Sequence, residues 1–265
     1  MKKIKSFYVV LWVVLGLFSQ YSCKPSGSSE SEATDSSSAA MESVSIENTL
    51  SEAEKAEGWE LLFDGETLNG WKRYNADSIG PLWIVQEGMI VCNGEGLGEG
   101  TKGIGGSLMT QKEYGNFELV VDWKITKGGN SGILYHIVEK PEYEHDYNTG
   151  PEYQLIDDDG WDGKLTDAQK AGSNYDMYAA PADKKLNAVG EWNTTRIVYK
   201  DGHVEHYLNG GKTVEFDEGS DDFKDRYNKS KWTEYPGWNQ SKSGHISLQD
   251  HGANVYFKNI KVKPL

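Results

Sequence analysis

This 265-residue sequence is poor in cysteine, in basic charge and in helical periodicity, and each shortage narrows what the chain can be. Its two cysteines, Cys23 and Cys92, lie in such different contexts that no disulfide framework is expected. Cys92 reads as a small buried hydrophobe, because no neighbouring histidine or basic run would favour a thiolate. Lysine and arginine number 27 against 41 aspartates and glutamates, a net charge of −14. A chain this acidic is a poor partner for nucleic acid. No long window repeats apolar residues at helical spacing, and only residues 166–172 and 221–227 are candidates for short helices.

Long apolar runs are scarce too, and the clearest one stands at the N-terminus. Residues 7–18 follow Met-Lys-Lys-Ile-Lys and lead to Gln20-Tyr21-Ser22-Cys23. Charge, length and position together read as a secretory signal peptide over residues 1–22. The placement of Cys23 resembles a bacterial lipobox, which makes it the expected lipidated first residue of a mature chain held at the cell envelope. Acyl chains there would tether the protein to a membrane without spanning it, with the folded part facing the periplasm or the surface. Loss of the three lysines ahead of Cys23 leaves 24 basic against 41 acidic side chains, or −17. From residue 24 to 57 there is no aromatic residue, ten serines occur, and acidic residues outnumber basic ones eight to two. Such a segment cannot bury enough apolar surface to offset its ordering entropy, so residues 23–57 are expected to form a tether. Residues 58–265 are long enough for one well-cored domain.

Glycine, tyrosine and tryptophan are abundant in the chain, at 30, 15 and nine, and nearly all of them fall within that domain. Short runs alternate with period two. Phe117, Leu119, Val121, Trp123 and Ile125 fall on one face, with Glu118, Asp122 and Lys124 on the other, as in a half-buried strand. Further strands are expected at residues 83–92, 133–137, 153–156, 192–200, 203–208, 245–249 and 255–262. Asp201-Gly202 and Asn209-Gly210 mark tight turns. Many short strands without a strand–helix–strand rhythm predict a two-sheet antiparallel sandwich, for which a jelly roll is the natural closure.

Three strands carry one apolar and one chemically equipped face. Glu152 and Gln154 share a face while Tyr153 and Leu155 take the other. His136 opposes Ile133 and Tyr135, which places it in the cleft. In the late strand His245, Ser247, Gln249 and His251 share a face opposite Ile246 and Leu248.

The order of motifs is similar to that of a known family. Gly58-Trp59-Glu60-Leu61-Leu62-Phe63-Asp64-Gly65 runs on to Leu68-Asn69-Gly70-Trp71. Residues 129–136, residues 150–157 and Gly190-Glu191-Trp192-Asn193 follow, and then Gly244-His245-Ile246-Ser247-Leu248-Gln249-Asp250-His251-Gly252 leads into Val255-Tyr256-Phe257-Lys258-Asn259-Ile260. Together these resemble domain of unknown function 1080, also called the 3-keto-disaccharide hydrolase domain, across residues 58–265. The resemblance implies a concanavalin-like jelly roll and, for characterised relatives, cleavage of glycosides already oxidised at C3. His136 stands where an arginine is common in that family.

A ketone at C3 acidifies the C2 proton, so a positioned base can form an enolate that expels the aglycone from C1. Addition of water then gives net hydrolysis. The site needs a base, a group to hold the enolate oxygen and an acid for the leaving group. Glu152 is the first choice for base and His251 for general acid or enolate stabiliser, since histidine titrates near working pH. Gln154, Gln249, His136 and Asn130 are candidate sugar-binding groups, although Asn130 also suits its glycine-flanked turn. Asp157 either closes the cleft edge or caps the acidic loop after it. That loop lacks full calcium-site spacing, and no local spacing supports a metal, so no cofactor is expected. Asp122 and Arg196 are strand-borne candidates to reach substrate, with exposed convex-face positions as the alternative, and Trp192 and Tyr178 are candidate stacking platforms, with core packing as the alternative.

Three functions therefore compete. One is 3-keto-glycoside cleavage, which also requires a partner sugar 3-oxidoreductase. Another is a conventional glycosidase pairing Glu152 with Asp157 or Asp122. The last is a lipid-anchored glycan-binding module.

Overall fold

The computed structural model describes residues 47–97 and 104–265, so Cys23, the signal segment and most of the expected tether lie outside the described residues. The folded unit begins earlier than residue 58. Asn48 is buried, its amide N–H donates to Asn259 Oδ1 at 2.7 Å and its side-chain oxygen accepts from Asn259 N–H at 2.9 Å. A short helix, α1 (Glu52–Ala56), follows with a capping box between Ser51 and Glu54. Residues 47–57 therefore belong to the folded unit and not to a tether. Polar pairing anchors them, which a search for apolar residues misses.

Thirteen strands follow among the described residues: β1 (Glu60–Leu61), β2 (Trp71–Arg73), β3 (Trp83–Gln86), β4 (Met89–Asn93), β5 (Leu108–Thr110), β6 (Phe117–Ile125) and β7 (Asn130–Ile137). The remainder are β8 (Glu152–Ile156), β9 (Asn193–Lys200), β10 (His203–Leu208), β11 (Gly211–Asp217), β12 (His245–Leu248) and β13 (Asn254–Pro264), with α2 (Asp221–Lys229) between β11 and β12. The expected strand over 83–92 is two, because Glu87 and Gly88 both adopt positive φ and fold it into a hairpin. Asp201-Gly202 and Asn209-Gly210 adopt the same left-handed pair, as their sequences predict.

One sheet has eight strands, ordered β11-β10-β9-β6-β13-β4-β3 with β1 on β13, and the other has five, ordered β2-β5-β12-β7-β8. All pairings are antiparallel. The chain changes sheets repeatedly, as at β5 to β6, β6 to β7, β8 to β9 and β12 to β13, which is a jelly-roll sandwich. Phe117, Leu119, Val121, Trp123 and Ile125 alternate inward from β6 and meet Ile133, Tyr135, Tyr153, Leu155, Ile246 and Leu248 from the five-stranded sheet. Cys92 is in this core, where burial pushes its thiol well up, so it stays a packed thiol.

Candidate functional site

The outer face of the five-stranded sheet carries the polar residues. In β8, Tyr153 and Leu155 point into the core, so Glu152 and Gln154 point outward. Register sets their neighbours: Leu134 of β7 lies opposite Glu152, and Gly132 opposite Gln154. On the other side of β7, Ser247 of β12 lies opposite Leu134, and Gln249 N–H donates to the Gly132 carbonyl at 2.9 Å. Two rows of side chains thus cross three strands. From these rows Glu152, Gln154 and Gln249 line one cleft of about 140 Å³ together with Asn130 and His251.

Gly132 makes room for the carboxylate. A Cβ there would lie 2.4 Å from Glu152 Oε1 and 2.8 Å from its Cγ, closer than nonbonded atoms allow. The Glu152 side chain therefore lies flat across the β7 backbone, and the residue is buried. Beside it, Gln154 Nε2 donates to Asn130 Oδ1 at 3.1 Å, and Ser131 Oγ donates to the Gln249 carbonyl at 2.8 Å. The first contact orients the Gln154 side chain and the second fixes the Gln249 backbone, while Gln154 Oε1 and Gln249 Oε1 stay buried without a partner among the described residues. An unsatisfied buried acceptor costs about 1–3 kcal/mol, so both oxygens are suited to a ligand's hydroxyl groups.

The walls come from loops. Tyr147 sits on a turn of helix, Asp146–Asn148, that is fastened to the sheet by Ser247 Oγ donating to Asp146 Oδ2 at 2.6 Å. Burial holds the Asp146 carboxyl above its ordinary range, partly opposed by Ser247. Opposite, residues 172–175 run along β8, with Tyr175 N–H donating to the Glu152 carbonyl at 3.0 Å. Trp232 Nε1 donates to the Tyr175 carbonyl at 3.0 Å and seats the turn Lys231–Glu234. That turn brings Lys231 and Trp232 to the cleft, and Tyr235 follows it and packs edge-on against Tyr147. His251 meets Trp161 edge-to-face at 5.7 Å.

Asn130, Glu152, Gln154, Gln249 and His251 thus come together as expected, while six other candidates do not. His136 has φ of +55° at a register shift in the β7–β12 pairing, and the bulge turns its ring inward. There it packs 4.2 Å from Tyr199, its Nε2 lies 2.9 Å from the Gly115 carbonyl, and burial lowers its pKa. Asp157 caps its loop, accepting from Gly128 N–H at 2.8 Å and Gly160 N–H at 2.9 Å. Asp122 accepts from Thr194 Oγ1 at 2.6 Å and Asn259 Nδ2 at 2.7 Å on the other sheet. Arg196 pairs there with Glu118 at 2.5 Å. Trp192 lies beneath Lys124 and Lys258, also on that sheet. Tyr178 stacks on Phe216 at 4.5 Å and donates to Asp222 at 2.9 Å.

Gly132, Tyr147, Tyr175, Lys231, Trp232 and Tyr235 were not among the sequence candidates. The available signal was the enrichment in tyrosine and tryptophan, which marks a wall without saying which loop builds it. A cluster with metal-ligand geometry, His203, Glu205 and Glu215, does not line the cleft, and Lys212 bridges its two glutamates.

Fold and site define a jelly-roll sandwich with an aromatic-walled, amide-floored cleft around one carboxylate. The chain belongs to the 3-keto-alpha-glucoside-1,2-lyase-like domain family, whose model matches residues 58–263. It is 34% identical over 268 aligned positions to a 3-keto-disaccharide hydrolase of Bacteroides thetaiotaomicron, covering 91% of this chain and 92% of that protein. Two candidate glycosyl hydrolases of Parabacteroides distasonis have similar solved structures. One is 46% identical with a TM-score of 0.75, covering 83% of this chain and 100% of its own. The other is 28% identical with a TM-score of 0.56, covering 78% and 99%.

Proposed function

We propose that this protein cleaves the C1 glycosidic bond of 3-keto-glycosides by removing the C2 proton. One observation carries the reading: among the described residues lining the cleft, Glu152 is the single carboxylate. A conventional glycosidase needs two carboxyl groups about 5–9 Å apart across the scissile bond. The expected partners for such a pair, Asp157 and Asp122, are committed to hydrogen bonds elsewhere. Elimination needs only one carboxylate, as the base, and family membership points the same way.

In this mechanism Glu152 takes the C2 proton and the C2–H electrons move into an enolate on the C3 oxygen. The enolate collapses to a C1=C2 double bond, the C1–O bond breaks, and the leaving oxygen takes a proton from His251. Water adding across C1=C2 gives net hydrolysis, with hydroxyl at C1 and hydrogen at C2. Gln154 and Gln249 supply acceptors for sugar hydroxyls, and the tyrosines of the wall pack against the ring. The test is incubation with a 3-keto-disaccharide and with the same disaccharide unoxidised. Cleavage of the first alone is expected. Binding of both without cleavage would support a glycan-binding module instead.

The substrate must be supplied by oxidation of a C3 hydroxyl, so a sugar 3-oxidoreductase is the partner activity that this reading requires. We further propose a lipid anchor at Cys23 in the cell envelope, on the sequence context alone. Cys23→Ala should move the protein from the membrane to the soluble fraction, and unchanged membrane association would refute the anchor.

A further inference from the structure

An elimination through an enolate needs a second charge besides the base. As the C2 proton leaves, negative charge gathers on the C3 oxygen, and a preset cation or donor at that oxygen lowers the barrier most in a water-poor cleft. Resting on the reading above, we infer that Lys231 is this group: its ammonium holds the C3 oxygen while Glu152 takes the C2 proton.

Lys231 is the one lysine or arginine among the described residues that line the cleft. Its ammonium lies 4.4 Å from the ring centre of Tyr175 and 4.6 Å from that of Trp232, so two aromatic faces hold it at the wall. The nearest carboxylate recorded for it, Asp176, stands 3.7 Å away, beyond a charge-assisted hydrogen bond. Lys184, Lys242 and Lys112 contrast with it, each touching a carboxylate at 2.6–2.7 Å. Among the described residues none takes a short hydrogen bond from the Lys231 ammonium, whose side chain stays 42% exposed and so open to a ligand.

The strand that carries Glu152 and the turn that carries Lys231 meet at Tyr175. Its N–H bonds the Glu152 main-chain carbonyl, and its carbonyl accepts from the indole of Trp232, the residue after Lys231. Both side chains line the same cleft. The chemistry asks for such a pairing, because the C2 proton and the C3 oxygen sit on adjacent carbons of one sugar. Assigning the oxygen to Lys231 leaves His251 to protonate the leaving group, so the two roles open to histidine in the sequence separate.

The test uses a 3-keto sugar that lacks a substituent at C1, so that enolisation occurs without a leaving group. In D2O, the wild-type chain should exchange the C2 hydrogen, read by proton NMR. Lys231→Met should slow this exchange and kcat on a 3-keto-disaccharide about 100-fold each, with KM changing much less and Lys231→Arg recovering part of the loss. A purely structural lysine would not move the exchange rate of a correctly melting protein, so thermal melting accompanies both variants. Arg196→Met, on the other sheet, serves as the control and should exchange at the wild-type rate. If wild type exchanges and cleaves while Lys231→Met stays within threefold of it, the lysine assignment is overturned and the elimination reading stands. If wild type itself neither exchanges nor cleaves, the elimination reading falls first.

Discussion

The two outer faces of this sandwich are built from the same alternating strands and treat polar groups in opposite ways. On the eight-stranded sheet, charges are matched within the protein: Glu118 meets Arg196 and Lys263, Asp122 meets Thr194 and Asn259, and Lys212 bridges Glu205 and Glu215. On the five-stranded sheet, loops cover the face and bury Glu152, Gln154 and Gln249, yet two amide oxygens stay without a protein partner. The first arrangement contributes solubility and a little stability. The second spends stability to keep acceptors ready for a ligand. Buried polar residues on a strand mark function where their unmet acceptors also line a cleft, as those of Gln154 and Gln249 do.

The contrast can be broken first at Gly132. Gly132→Ala places a methyl group against Glu152 Oε1, and the carboxylate must move. A displacement near 1 Å at a reacting group costs about 100-fold, so kcat for a 3-keto-disaccharide should fall by about that factor. Steady-state kinetics at wild-type activity would refute the link between Gly132 and the carboxylate.

A smaller effect sharpens the other side. Burial works to raise the Glu118 pKa, but Arg196 and Lys263 outweigh it and hold the carboxyl below its ordinary value of 4.5. With the folded pKa below the unfolded one, the stabilisation is complete above the unfolded value and is lost as pH falls through the folded value. Arg196→Met should therefore cost about 1 kcal/mol or less at pH 7, with the gap to wild type closing below about pH 4. Thermal melting against pH reads this, and activity per folded molecule should not change.

How far the sequence reveals this division depends on the strand. In β6 the alternation places every inward residue correctly, and in β8 and β12 it pairs Glu152 with Gln154 and Ser247 with Gln249. It fails at His136, where a left-handed residue in a bulge adds one position and reverses the facing. Alternation also sets Asp122 and Arg196 outward correctly, but it cannot say which sheet's outside they occupy. That depends on strand order, which joins segments far apart in the chain. The aromatic wall was illegible for a related reason. Tyr147, Tyr175 and Trp232 reach the cleft through hydrogen bonds between loops that no local pattern encodes.

The central claim is that Glu152 removes the C2 proton, and product NMR after brief turnover of a 3-keto-disaccharide in D2O tests it most directly. The wild-type chain should release a 3-keto sugar carrying deuterium at C2. Glu152→Gln, folded to the same melting temperature, should lose both cleavage and deuterium incorporation by at least about 1000-fold. Cleavage that leaves hydrogen at C2, or a Glu152→Gln chain as fast as wild type, would contradict it.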